Sequence, residues 1–154
     1  MPATIVDRQH GLAVPKARLA RAAQRALDAL GRPDSEVDVA IVDDAEIRAL
    51  NTRHRGINRR TDVLAFPLEL PGAASGLLGQ VVISAQTAAR QARKVGVPLA
   101  LELELLTTHG LLHLAGYDDR DPVEADLMHR REREILSTDA RRIPKRLWRG
   151  LLRA

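Results

Sequence analysis

The 154-residue chain contains no cysteine. Disulfide staples are therefore excluded, and so are thiolate-rich structural zinc sites. Aromatic residues are almost absent: Phe66, Tyr117 and Trp148 make up 2% of the chain. A core must then be built from Leu, Val, Ile and Ala, and a base-stacking platform of the RRM kind is ruled out. No apolar run approaches the roughly 20 residues that span a bilayer, and the first residues show no hydrophobic signal region. The expectation is a cytoplasmic protein with no membrane contact. Acidic residues are missing from the last 14 positions, which carry Arg141, Arg142, Lys145, Arg146, Arg149 and Arg153. That leaves 18 of the 24 basic and all 20 acidic groups in the first 140 residues, so the net +4 resides in the tail.

What is present suits one domain with one core, spanning 1–154 and ending in a basic tail over 141–154. Hydrophobic residues at 45% argue against disorder. Thr4 to Asp7 reads as an edge strand, and a helix runs from Pro15 to about Leu30, stopped by Gly31 and Pro33. Val37 to Val42 is a strand, followed by a short helix through Leu50 capped by Asp43 or Asp44. Residues 51–60 read as a loop, 61–67 as a strand ended by proline, and 68–78 as a connection rich in Gly, Pro and Ala. Gly79 to Ser84 is a further strand. Ser84 then caps an alanine-faced helix that ends at Gly96. Pro98 opens a helix so rich in leucine that it must be buried. Asp121-Pro122-Val123-Glu124 fits a capping box for a helix through Leu136. Pro144 separates that helix from a tail helix whose Trp148 packs onto the body.

The leucine-rich helix carries the chemistry. His109 and His113 stand four residues apart, so they share one helical face one turn apart and aim at a common point. A core gains nothing from two adjacent polar rings. Gly116 reads as the C′ glycine that ends the helix, and the turn there returns Asp118 and Asp119 towards the rings. Two imidazoles and a carboxylate can hold a divalent metal and leave a coordination position open. The metalloprotease signature H-E-x-x-H does not apply, because the position after the first His is Gly110, which cannot serve as a base. In the alternative, Asp119 caps the following helix, and His54, His129 or Asp118 completes the shell. His10 and His129 otherwise read as surface residues.

Basic groups surround this element in sequence. The segment 51–60 holds Arg53, Arg55, Arg59 and Arg60 and no acid. Guanidinium forks match phosphate oxygens, so such a cluster suits a phosphate clamp; taken alone, the segment reads as readily as an exposed basic loop with no partner. Arg141, Arg142, Lys145 and Arg146 offer sequence-independent affinity for a nucleic-acid backbone.

The run "HGLLHLAGYDD" resembles the signature H-G-x-L-H-L-x-G-Y-D-H of the YbeY endoribonuclease family. "LNTRHRGINRRTDVLAFP" is similar to that family's L-N-x-x-Y-R-x-x-x-x-x-T-D-V-L-S-F-P block, and "LGQVVIS" to its L-G-D-I-x-I-S strand. The resemblance covers roughly residues 36 to 136. It implies an α/β (α+β) fold: one compact domain with a small mixed four-stranded sheet, five to six flanking helices and the metal site on a central helix. It also implies a single-strand-specific, metal-dependent endoribonuclease that matures ribosomal RNA, including the small-subunit 3′ end, and serves ribosome quality control. Its partners would be single-stranded and ribosomal RNA and the ribosome or its associated proteins. Position by position, His109 and His113 match the first two ligands of a Zn2+ ion, and Arg55 matches the functional arginine. His109 and Arg55 are then the catalytic pair. The third ligand of the family is His, and Asp119 stands there instead. Aspartate is an acceptable zinc ligand, and the resulting set of two His and one carboxylate is also the facial arrangement used by iron. His54 stands for the family's Tyr, Ala65 for its Ser and Gln80 for its Asp, where loss of a carboxylate bears on water positioning or on a local hydrogen bond. A second reading, from another class, is a ribosome-associated RNA-binding factor with a structural metal and little catalysis.

Overall fold

The computed structural model describes residues 3–56, 61–68, 77–138 and 141–150. Four strands form one sheet: β1 (Ala3–Asp7), β2 (Glu36–Val42), β3 (Val63–Pro67) and β4 (Leu77–Ser84). The spatial order is β1-β2-β4-β3. β1, β2 and β4 run parallel, and β3 closes the other edge antiparallel, with Leu64 opposite Val82 and Pro67 opposite Gly79. Proline at an edge-strand terminus is where the missing N–H costs least. The mixed four-stranded sheet is the one expected.

Among the described residues five α-helices flank it. They are α1 (Lys16–Ala29), α2 (Asp44–Arg55), α3 (Ala85–Val95), α4 (Leu99–Leu114) and α5 (Pro122–Leu136), with a 3₁₀ turn over Lys145–Gly150. The caps follow local chemistry. Asp43 accepts from the N–H of Glu46, Ser84 from that of Thr87, and Asp121 from that of Glu124, with Pro122 at the first helical position.

α4 is the central element. It packs on α1, α3, α5, β3 and β4, and even its Glu102 and Glu104 are buried. Its close seat on the sheet depends on Gly110, where an added Cβ would lie 2.5 Å from Val81 Cγ1. That is the structural reason for a glycine between the two histidines. Among the described residues no single helix is long and apolar enough to cross a membrane. α3 and α4 reach that length only together, bent by 118°.

Three expectations are corrected. Residues 51–55 are not loop but the last turns of α2, which ends at Gly56 in the left-handed conformation (φ 69°) with its N–H bonded to Asn51 and Thr52 carbonyls. Asn51 is buried and anchors this extension, and basic Arg53 and Arg55 suit the negative end of the helix. Leu77 and Leu78 belong to β4 rather than to the preceding connection, whose residues 69–76 lie outside the described set. His129 is half-buried at the surface rather than free: its side chain is 26% exposed and hydrogen-bonded to Glu132. Residues 151–154 at the end of the expected tail helix lie outside the described residues.

Candidate metal centre

The C-terminal end of α4 sets the geometry. The N–H of Gly116 donates to His113 O and that of Tyr117 to Leu112 O, both at 3.0 Å. This is a Schellman closure, with Gly116 at φ 103°. Asp118 then folds the chain again by accepting from the N–H groups of Asp119 (2.8 Å) and Arg120 (3.2 Å). These two turns return Asp119 to the histidines. His109 Nε2 lies 3.1 Å from His113 Nε2 and 3.6 Å from Asp119 Oδ2, and His113 Nε2 lies 3.7 Å from Asp119 Oδ1. Donors bound at about 2.0–2.1 Å around a tetrahedral ion stand about 3.3 Å apart. One donor atom from each of the three residues lies within 4.8 Å of the other two, so the group could hold a divalent metal.

The alternative ligands go elsewhere. Asp121, not Asp119, caps α5. Asp118 is taken up by its backbone turn and by Arg120. The His54 ring packs against Phe66, 5.0 Å between centroids. His129 Nδ1 bonds Glu132 Oε1 at 2.7 Å. His109, His129 and Glu132 also lie close enough to be considered as a second metal group, but their contacts of 2.6 and 2.7 Å are hydrogen-bond lengths, shorter than the edge an ion needs.

Electrostatics prepare the rings unequally. Burial opposes charge on His109, yet the hydrogen bond and charge of Glu132, with Asp62 and Asp119, push its pKa above the ordinary value. At His113 burial and the adjacent His109 prevail over the nearby carboxylates and lower it. Burial also opposes charge on Glu132, but its bonds to His109 and His129 hold its pKa below the usual carboxylate range. Glu132 is thus an ionised acceptor inside the protein, facing the side of His109 opposite His113 and Asp119.

Arg55 reaches the same place from α2. It lines a cleft of about 430 Å³ together with His113, Tyr117, Asp118, Asp119 and Arg120. Arg53 is exposed and is not part of that lining. Arg59 and Arg60 lie outside the described residues. In the tail, Arg141 binds the buried Glu104 at 3.0 and 3.1 Å, beside Arg18 and Arg25. Arg146 donates to Gly96 O, whereas Arg142 and Lys145 are exposed. Arg141 and Arg146, two of these four candidate RNA-binding residues, therefore serve internal contacts. Gln80 lies outside the cleft, in a different hollow with Thr4 and Asp38.

Sequence reasoning missed Glu132. A signal was present: Ala125, Met128, Glu132 and Ile135 form the buried stripe of α5, and a carboxylate in such a stripe needs a partner.

A family model described as Endoribonuclease YbeY matches residues 4–139. A protein of that name from an Anaeromyxobacter species is 48% identical over 118 residues, covering 77% of this chain and 62% of its own length. One from Pelotomaculum thermopropionicum is 41% identical over 145 residues, covering 88% of this chain and 95% of its own. The chain spans about three-fifths of the length of the Anaeromyxobacter relatives. The solution structure of TM1509 from Thermotoga maritima superposes with a TM-score of 0.60 at 25% identity, covering 95% of this chain and 89% of that one. With its family model matched over most of its length and its histidine pair, returning carboxylate and cleft arginine in one place, the chain belongs to the YbeY endoribonuclease family.

Proposed function

We propose that this chain is a metal-dependent endoribonuclease that cuts single-stranded RNA, with one divalent metal, Zn2+, held by His109, His113 and Asp119. The observation that carries the reading is the meeting of Arg55 with His113 and Asp119 in one cleft, with buried His109 beside those two donors. When bound, the metal supplies Lewis-acid polarisation of a phosphoryl oxygen or acidifies a water. Arg55 holds a phosphate by its guanidinium fork and stabilises charge that grows on it during cleavage. The two turns at Gly116 and Asp118 preorganise Asp119, so little reorganisation is needed on binding. Exposed Arg53, Arg142 and Lys145, together with Arg59 and Arg60, add backbone affinity that carries no sequence information.

The whole of 1–154 acts as one RNase domain with a basic tail, in the cytoplasm. Its substrate is ribosomal RNA, including the 3′ end of the small-subunit RNA, and it works with the ribosome in maturation and quality control. The test is cleavage of single-stranded RNA by zinc-loaded protein beside His109→Ala. Cleavage above that control supports the nuclease. Metal and RNA binding without cleavage moves the assignment to a ribosome-associated binding factor.

A further inference from the structure

Glu132 is fully buried on α5, and both its oxygens are engaged. Oε2 accepts from His109 Nδ1 at 2.6 Å. Oε1 accepts from His129 Nδ1 at 2.7 Å and from Trp148 Nε1 at 2.9 Å. The three partners differ in kind. An imidazole can place its proton on either nitrogen, but an indole N–H can only donate. Trp148 therefore demands an acceptor at Oε1 whatever the histidines do. It is held in place by packing with the Leu105, Leu136 and Leu147 cluster and by the Arg133 guanidinium, 5.6 Å from its ring centre. With a carboxylate at 132, the acceptor demanded by Trp148 is matched by a second acceptor facing His109. The proton of His109 then sits on Nδ1, and the lone pair of Nε2 points at His113 and Asp119.

We propose that Glu132, which accepts from His109 on one oxygen and from Trp148 on the other, is a positioning residue that fixes the tautomer of His109, so that the C-terminal segment packs behind the metal site. This rests on the metal reading of His109, His113 and Asp119. It goes beyond that reading by assigning a role to a carboxylate and an indole that do not touch the metal. Carboxylates behind ligating histidines typically change metal affinity 10–100-fold when removed.

The discriminating variant is Glu132→Gln. Glutamine offers one acceptor and one donor. Because Trp148 can only donate, the amide oxygen turns to Trp148 and the NH2 group faces His109. Nδ1 must then accept, and the His109 proton moves to Nε2, where it blocks the metal. Adding Trp148→Phe removes the constraint. The amide can rotate, its oxygen accepts from His109 again, and His129 changes tautomer to accept from the NH2.

Two readouts test this. The first is Zn2+ affinity by competition with a chromogenic chelator. We expect Glu132→Gln to bind 10–100-fold more weakly than the wild type, and Glu132→Gln/Trp148→Phe to recover at least half of that loss on a logarithmic scale. Trp148→Phe alone keeps acceptors on both sides of residue 132 and shifts affinity far less than Glu132→Gln. A merely structural role for the pair predicts the opposite, with the double variant no better than Glu132→Gln. The second readout is the ring ¹⁵N shifts of His109 in metal-free protein, at a pH above the titration of the ring. The wild type should show the Nδ1–H form and Glu132→Gln the Nε2–H form. An unchanged tautomer, or a double variant that binds no tighter than Glu132→Gln, overturns the proposal. Failure of the wild type to bind Zn2+ would instead overturn the metal reading, and the tautomer result would still decide the role of Glu132.

Discussion

Replacing Glu102 by glutamine should raise the stability relative to the wild type as pH rises from acid to neutral. Glu102 lies on α4 two turns before His109 and is fully buried. Among the described residues neither of its carboxyl oxygens has a hydrogen-bond partner. Burial, with the negative charge of Asp62, raises its pKa from the ordinary 4.5 to about 8. Below pH 4.5 the folded and unfolded chains both hold the proton, and the group contributes no pH dependence. Between 4.5 and about 8 only the folded chain retains it, so stability falls as pH rises, by up to about 1.4 kcal/mol per unit. From pH 5.5 to 7.5 the wild type should lose roughly 2–3 kcal/mol through this one group. Glu102→Gln keeps the shape of the protonated acid and does not titrate, so its stability relative to the wild type should rise by that amount between pH 5.5 and pH 7.5. For a chain of this size the gap corresponds to about 5–10 °C in Tm. The assay is urea unfolding by circular dichroism at pH 5.5, 6.5 and 7.5, with chelator present so that metal linkage does not enter. A difference between the two proteins that stays constant within about 0.5 kcal/mol across those pH values would refute the reasoning, because it would mean that Glu102 is ionised in the folded state.

Other perturbations separate the parts of the site. Asp119→Ala and His113→Ala should each abolish stoichiometric metal in the purified protein, read by elemental analysis; full metal content in Asp119→Ala would remove that residue from the ligand set. Arg55→Ala should keep the metal but lower cleavage of single-stranded RNA by about 10²-fold or more, the scale of losing one charge-stabilising donor. Loss of metal in that variant would mean that Arg55 supports the fold of the cleft instead. Gly110→Ala should destabilise the fold by about 1–2 kcal/mol, because overpacking against Val81 outweighs the gain in helix propensity. Thermal unfolding checks it, and an unchanged or raised Tm would show that α4 can lift off the sheet at no cost.

Much of the candidate site was legible because it is local. The i, i+4 spacing of His109 and His113 places both rings on one face whatever α4 packs against. Gly116 is read correctly as the helix terminator because its left-handed conformation is a property of the residue. The caps at Asp43, Ser84 and Asp121 are legible for the same reason. The leucine-rich run implied burial, and α4 is indeed the central helix. By contrast, the boundary of α2 misread as loop depended on Asn51 being buried, which no local signal states.

Composition and short-range pattern by themselves determined a cysteine-free aliphatic core, the order of strands and helices, and a histidine pair aimed at one point. Only the tertiary structure decided what each face meets. It placed β3 antiparallel at the sheet edge, brought Arg55 of α2 into the cleft of Asp119, and spent Arg141 on buried Glu104. It also set Glu132 and Trp148 behind His109. The physical reason is range. Backbone propensity and capping act within a few residues, so a sequence states them directly. The partner of a buried charge is chosen by packing between elements distant along the chain, where the cost of leaving that charge unpaired selects one arrangement.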